Sequence, residues 1–226
     1  MMPPDTMQCM NDDLFANLPS PAPAMEAIAA GAVILRRFAA EGAADLIASL
    51  GDIEAQAPFR QMMTPGGYQM SVAMTSCGTF GWVTDRQGYR YAAHDPETHA
   101  SWPAMPRIFQ HLANAAAVAA GYAGFAPNSC LINRYEAGSK LSLHQDRDEQ
   151  DLSAPIVSVS LGLSAVFQFG GVNRRDPIKR HRLENGDVVV WGGPTRLAYH
   201  GIAVMKPGLH PLSGSYRYNL TFRKAG

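Results

Sequence analysis

From about residue 129 to the end of the chain, apolar and polar residues alternate in one short run after another: CLINRY, KLSLHQD, IVSVSLGL, AVFQFG, HRLENGDVVVWG, LAYHGIAV and SYRYNLTFR. A period of two sends successive side chains to opposite faces of an extended backbone. Many such runs, closely spaced and separated by turn residues, bury their apolar sides as a sandwich, jelly roll or barrel. The ENGD step between HRL and VVVW reads as an Asn-Gly hairpin turn. The 21 Gly and 16 Pro suit a chain with that many turns.

The front half is mixed. Residues 1–24, ending in LPSPAPA, read as a loosely held extension. GAVILRRF (31–38) predicts a strand, and EGAADLIASLG (41–51) predicts a helix that stops at Gly51. YQMSVAMTSCG (68–78) alternates Met70, Val72 and Met74 as a half-buried strand does. After WPAMP, the spacing of Ile108, Leu112, Ala116 and Ala119 predicts a second helix, closed by Gly121. The expected organisation is an extension over 1–24, a mixed segment over 25–128 and an all-β segment over 129–226.

Lys and Arg total 19, as do Asp and Glu, so the chain carries no net charge and is not built to coat nucleic acid by bulk electrostatics. The balance hides an asymmetry. Residues 1–100 hold 5 basic and 11 acidic side chains, a net of −6, and residues 101–226 hold 14 and 8, a net of +6. Much of the excess lies in NRRDPIKRHR (173–182), a solvated loop or a phosphate-facing patch. The three cysteines (Cys9, Cys77 and Cys130) show no metal-type pairing, so a reducing compartment is the default. With no secretory signal and no membrane-length apolar stretch, a soluble cytoplasmic protein is expected.

The chemistry gathers around LHQDRDEQDL (143–152), where six of ten residues are ionisable in a chain that is 17% charged. Strand alternation in KLSLHQD puts Ser142, His144 and Asp146 on one face, away from Leu141 and Leu143. His200, inside the apolar run LAYHGIAV, is by itself a hydrogen-bonded core histidine. Joined to His144 and Asp146, it completes the two-His, one-carboxylate facial set of non-haem Fe(II) oxygenases, which leaves positions open for a chelating co-substrate and O₂. In SYRYNLTFR, one face carries Arg217, Asn219, Thr221 and Arg223 and the other Tyr218, Leu220 and Phe222. Two guanidiniums beside an amide and a hydroxyl suit a small dianion, whereas a solvated edge strand is the plainer reading. Asn133 and Tyr135 of CLINRY offer further polar contacts from one face.

With HQD, a later YHG and a terminal RYNLTFR in place, the chain resembles the AlkB family of Fe(II)- and 2-oxoglutarate-dependent nucleic-acid dealkylases. The likeness runs from about residue 28 onward through GWVTDRQGYRY, WPAMP, LINRY, LSLHQDRDE, APIVSVSLGL, FQFGG, GDVVVWGG, YHG and RYNLTFR. It implies a mainly β fold, a double-stranded β-helix (jelly roll) preceded by an α/β N-terminal part with a nucleotide-recognition lid. It implies His144, Asp146 and His200 as iron ligands, with 2-oxoglutarate held by Asn133, Arg134, Tyr135, Arg217, Asn219 and Arg223. On the substrate side it implies Trp82 and Tyr89 against a flipped-out base, Arg90 and Tyr91 along the groove, and Asp148 and Arg174 as further contacts. Two departures are Arg147, where a relative in the family has lysine, and the N-terminal extension, which has no counterpart in the resemblance.

The implied reaction is oxidative demethylation of 1-methyladenine and 3-methylcytosine in alkylated DNA or RNA, using Fe(II), 2-oxoglutarate and O₂ and releasing succinate, CO₂ and formaldehyde. The protein would act as a monomer on a single strand or a flipped base, with no membrane partner. The same triad and arginines would equally serve a related oxygenase acting on RNA, protein or a small metabolite. A cupin-like binding module or a non-catalytic nucleic-acid reader stands outside that class.

Overall fold

A computed structural model describes residues 24–226, so the expected N-terminal extension lies, apart from Ala24, outside the described residues. The elements in chain order are β1 (Met25–Ala29), β2 (Ala32–Leu35), α1 (Ala43–Gln56), β3 (Ala73–Gly78), β4 (Gly81–Asp85), β5 (Gly88–Ala92) and α2 (Arg107–Ala119). There follow β6 (Ser129–Tyr135), β7 (Leu141–His144), β8 (Ile156–Gly162), β9 (Ala165–Phe169), β10 (Lys179–Leu183), β11 (Val188–Trp191), β12 (His200–Ile202) and β13 (Arg217–Arg223). A seven-stranded sheet in the order β1-β2-β11-β8-β13-β6-β3 faces a four-stranded sheet in the order β10-β9-β12-β7, and β4 and β5 form a separate hairpin. Every pairing is antiparallel. This is the jelly-roll architecture expected from the sequence.

Alternation divides the large sheet between two cores. One face sends Val188, Val190, Val157, Val159, Leu161, Leu220, Phe222, Cys130 and Ile132 toward the helices, where Leu46, Leu50, Phe109 and Ala113 meet them. Phe109 of α2 packs edge-on against Phe222 of β13, centroids 6.0 Å apart. The opposite face sends Ile156, Val189, Trp191, Leu131 and Tyr135 toward Phe167, Phe169 and Ile202 of the small sheet. Each fully buried aliphatic or aromatic side chain contributes about 1.5–3 kcal/mol by leaving water. Both helices pack on the outer side of the large sheet.

Several local readings change. The first helix runs through Gly51 to Gln56, because Ile53 continues the buried stripe of Leu46 and Leu50. One glycine costs a helix about 1 kcal/mol relative to alanine, less than that burial returns. In α2 the buried stripe is Phe109, Ala113, Ala116 and Ala117, with Ala119 exposed. Gly121 (φ +88°) does close it, with Tyr122 N–H reaching back to Ala117 O at 2.8 Å. Only Ala73–Gly78 of the segment 68–78 is strand, although Val72 and Met74 are buried as the alternation requires. The ENGD step makes a turn, with Asp187 N–H on Glu184 O at 3.1 Å, but no hairpin. β10 pairs with β9 in the small sheet, while β11 pairs with β2 and β8 in the large one. ENGD is the corner where the chain crosses between sheets. Because β2 pairs with β11 and β3 with β6, the division at 128/129 runs through one continuous sheet.

Candidate active site

Between the two sheets lies a cavity of about 640 Å³ whose walls include His144, Asp146 and His200. β7 and β12 are neighbours, and His144 stands directly across from His200. The next registered pair is Leu141 with Ile202, so β7 carries one extra residue and the ladder bulges. The bulge turns both Leu141 and His144 inward and leaves Ser142 exposed, in place of the shared face expected for Ser142 and His144. Gly201 permits it: a β-carbon there would lie 2.6 Å from Leu141 O. The imidazole centroids are therefore 4.4 Å apart.

Each imidazole is oriented by its own backbone. His144 Nδ1 lies 2.9 Å from Ser142 O, and His200 Nδ1 lies 3.0 Å from Ala198 O. A carbonyl only accepts, so Nδ1 carries the proton in both rings and Nε2 presents a lone pair. Both Nε2 atoms point at the Asp146 carboxylate, at 3.5 and 3.7 Å. The three ligand atoms lie within 4.8 Å of one another. On an octahedral face they would stand about 3 Å apart, so a bound cation would draw the set inward.

Burial alone would raise the Asp146 carboxyl, but the charges of Arg223, His200 and His144 hold it well below the usual carboxylate range. Burial, joined by repulsion from His144, pushes the His200 imidazole down to about 4. Burial also opposes charging of His144, yet its contacts with Asp146 leave it raised. An ionised carboxylate and a neutral imidazole are the forms that bind metal. The donor set fits Fe(II): Asp146 and His200 are already in their binding forms, and a cation would displace the proton that Asp146 favours on His144.

Beside the triad the cavity is built for an anion. Arg217 is 1% exposed, and its Nη2 donates to Ser160 Oγ at 3.0 Å while Nε and Nη1 have no hydrogen-bond partner among the described residues. Burial holds its pKa below the ordinary guanidinium value. Its guanidinium lies 4.9 Å from the Tyr135 ring centre. Asn133 Oδ1 and Arg223 Nη1 are likewise buried without partners. Unpaired buried donors are costly unless a ligand takes them up. The two arginines stand at different stations. Arg223 Nε donates to Asp146 at 2.9 Å and also lies 3.2 Å from Glu149, which leaves Arg217 as the uncompensated cation. Asn219 is held by Ser158 Oγ at 2.8 Å. These features fit a small dicarboxylate such as 2-oxoglutarate.

The mouth of the cavity holds Trp82, Tyr89, Asp148 and Arg174. Trp82 and Tyr89, on facing strands of the β4–β5 hairpin, stack with centroids 5.7 Å apart at 18°. Trp82 Nε1 donates to Asp148 Oδ2 at 3.0 Å. Arg174 lies at the same mouth, its guanidinium 5.6 Å from the Tyr199 ring centre. Tyr91 stands behind this wall and donates to Glu149 at 2.8 Å, with burial pushing its hydroxyl pKa up.

Two expectations are corrected. Arg134 is not on the 2-oxoglutarate side, because alternation on β6 turns it away from Asn133 and Tyr135. It pairs with Glu54 of α1 at 2.8 Å and lies over the Phe59 ring at 4.5 Å. Arg90 faces away from Tyr89 and Tyr91 and pairs with Asp85 of its own hairpin at 2.7 Å. Sequence reasoning also passed over Glu149 and Arg196, paired at 3.0 Å and both nearly fully buried. Arg196 also donates to the Asp146 carbonyl at 2.7 Å and to Ala154 O at 2.9 Å, fixing the segment that carries the metal carboxylate. Glu149 sits in the charged burst, a visible signal, but Arg196 stands in a Gly/Pro-rich turn with nothing to mark it.

The family description 2OG-Fe(II) oxygenase superfamily matches residues 31–223. The alpha-ketoglutarate-dependent dioxygenase AlkB of Escherichia coli is 63% identical over 214 residues, spanning 95% of this chain and 98% of that protein. An AlkB homolog from Caulobacter vibrioides is 47% identical over 171 residues, 75% of this chain and 76% of that one. Among solved structures, that of OsALKBH1 superposes with a TM-score of 0.78 at 29% identity, covering 89% of this chain and 100% of the other.

Proposed function

The chain belongs to the AlkB family within the 2OG-Fe(II) oxygenase superfamily, and on that footing we propose that it removes the methyl groups of 1-methyladenine and 3-methylcytosine. It is an Fe(II)- and 2-oxoglutarate-dependent dioxygenase of alkylated-DNA repair. No helix among the described residues is long and apolar enough to cross a membrane. The same reading makes it a cytoplasmic monomer that takes its base from a single strand or by flipping.

His144, Asp146 and His200 would hold the iron, and Asn133, Tyr135, Arg217, Asn219 and Arg223 would hold 2-oxoglutarate. With O₂, the bound pair supplies an oxidant that hydroxylates a C–H bond, yielding succinate and CO₂. The hydroxymethyl group left on the base nitrogen departs as formaldehyde, and the nitrogen regains its proton or lone pair. No side-chain nucleophile is needed. Arg217 orients the co-substrate by pairing with its distal carboxylate. Trp82 and Tyr89 offer an aromatic wall for the extruded base, and Asp148 places a negative charge beside a methylated base that carries a positive one. Arg196 and Glu149 keep the Asp146–Asp148 segment in position as the base enters.

The observation that carries this reading is the shared cavity: a two-His, one-carboxylate set with both Nε2 atoms turned inward, beside a buried arginine with unpaired donors. The test is mass spectrometry of a 1-methyladenine oligonucleotide incubated with protein, Fe(II), 2-oxoglutarate and oxygen. Loss of the methyl mass with matching succinate is expected, and both should fall to background in Asp146→Asn. Succinate formation with the methyl retained would point to another substrate for the same chemistry.

A further inference from the structure

From the cavity mouth outward, a run of exposed cations lies on β10 and the loop that leads into it. Arg174, Arg175, Lys179, Arg180 and Arg182 are all exposed. β10 forms an edge of the small sheet, paired with β9 alone. Arg180 stands across from Gln168 and Arg182 across from Val166, on the side opposite the buried Phe167 and Phe169. The helices cover the other sheet, so among the described residues no helix shields this face. The nearby carboxylates are engaged. Glu184 pairs with Arg182 at 3.1 Å, Asp176 accepts the Asn173 N–H at 2.9 Å, and Glu26 is shared by Arg36 and His181. No described carboxylate lies within ion-pair distance of Arg175, Lys179 or Arg180.

The position of this charge gives it meaning. The ribbon begins at the cavity mouth, where Arg174 Nη1 donates to Leu143 O at 3.2 Å, one residue before the metal-side His144. Arg175 follows immediately. On the edge strand β10, Arg180 projects from the exposed face and Lys179, across from Phe169, from the opposite side. The two exposed cations thus flank the strand edge about 3.4 Å apart along the chain. A chain with no net charge attracts a polyanion only where its cations are gathered. We propose that this ribbon, from Arg175 through Arg180, is a phosphodiester track that holds the flank of the polynucleotide whose base occupies the cavity. The proposal rests on the reaction assigned above and adds the path of the backbone outside the pocket. The ligand chemistry is a run of phosphates without base readout, so affinity gained there is independent of sequence.

The test compares a methylated trinucleotide, too short to leave the pocket, with a longer methylated single strand, using wild type and the triple variant Arg175→Ala, Lys179→Ala, Arg180→Ala. On the longer strand the variant should show KM raised on the order of 10-fold at low salt with kcat unchanged. The slope of log affinity against log salt should shrink by about 2, at roughly 0.7 for each phosphate no longer neutralised. Turnover of the trinucleotide should be unchanged. Arg107→Ala, removing an exposed charge from α2 on the helix-covered side, should leave both substrates unaffected. Unchanged KM and salt slope on the longer strand would overturn the track, and so would equal weakening on both substrates. A variant that aggregates while turning over both strands normally would instead assign these charges to guarding a sheet edge. Failure of the wild type to demethylate either substrate would sink the repair reading itself.

Discussion

On β13, Tyr218, Leu220 and Phe222 turn toward the helices, while Arg217, Asn219, Thr221 and Arg223 turn into the cavity, and the difference between the two sets is one residue of phase. On the helix side Leu220 and Phe222 are fully buried among apolar side chains, and Tyr218 lies at the rim beside Arg134. The cavity side buries polar groups, some with unpaired atoms, whose desolvation opposes folding until a ligand takes them up. One strand thus carries stability on one face and function on the other, and the functional face is destabilising by itself.

Substitutions on each face should separate the two. Phe222→Ala, on the dry face, should lose about 3–5 kcal/mol of stability by urea unfolding. Its KM for 2-oxoglutarate should hold at a temperature where the protein remains folded. Arg217→Met should do the reverse. Removing one partner of a buried charged pairing costs about 2–5 kcal/mol of binding, so affinity for 2-oxoglutarate should fall about 30-fold or more. The ligand-free protein should be equally or more stable, because an apolar side chain replaces buried unpaired donors. A large loss of stability in Arg217→Met would break the comparison.

Acid should also act on the cavity face. In the metal-free protein His144 gains a proton more readily than in the unfolded chain, while His200, at about 4, stays neutral. Below about pH 6.5 the unfolded chain therefore binds two protons at these positions and the folded protein one, so stability falls as pH drops toward 4. From pH 6.5 to 5 the loss should be roughly 1–2 kcal/mol, the His200 contribution being partly offset by His144, and His200→Ala should abolish most of it. The smallest expected effect lies on the helix side. Gly51→Ala, in a helical position with nothing within 4 Å of the new methyl, should add about 1 kcal/mol and leave turnover unchanged.

Much of this was legible in the residues. The assignment of β13 to two faces, the inward Asn133 and Tyr135 and the second helix all follow from local periodicity. The convergence of His144, Asp146 and His200 was signalled by residue type, but the convergence itself came about through a bulge. Arg134 shows where motif reading fails: its neighbours line the cavity, yet its position on β6 sends it to Glu54 and Phe59. Asn-Gly at ENGD is a strong turn signal, and the turn forms, but a turn alone does not say which sheet the next strand joins.

The sequence by itself determined which side chains share a face, because that depends only on a backbone repeat of two, and which residue types could hold a metal and a dianion. The tertiary structure alone decided which cations are neutralised and which remain for a ligand. Arg223 of β13 meets Asp146 and Glu149 in the loop after β7, far away in the chain, and among the described residues Arg217 meets only Ser160 and the Tyr135 ring. Charge compensation is a property of neighbours in space, and no local pattern along the chain encodes it.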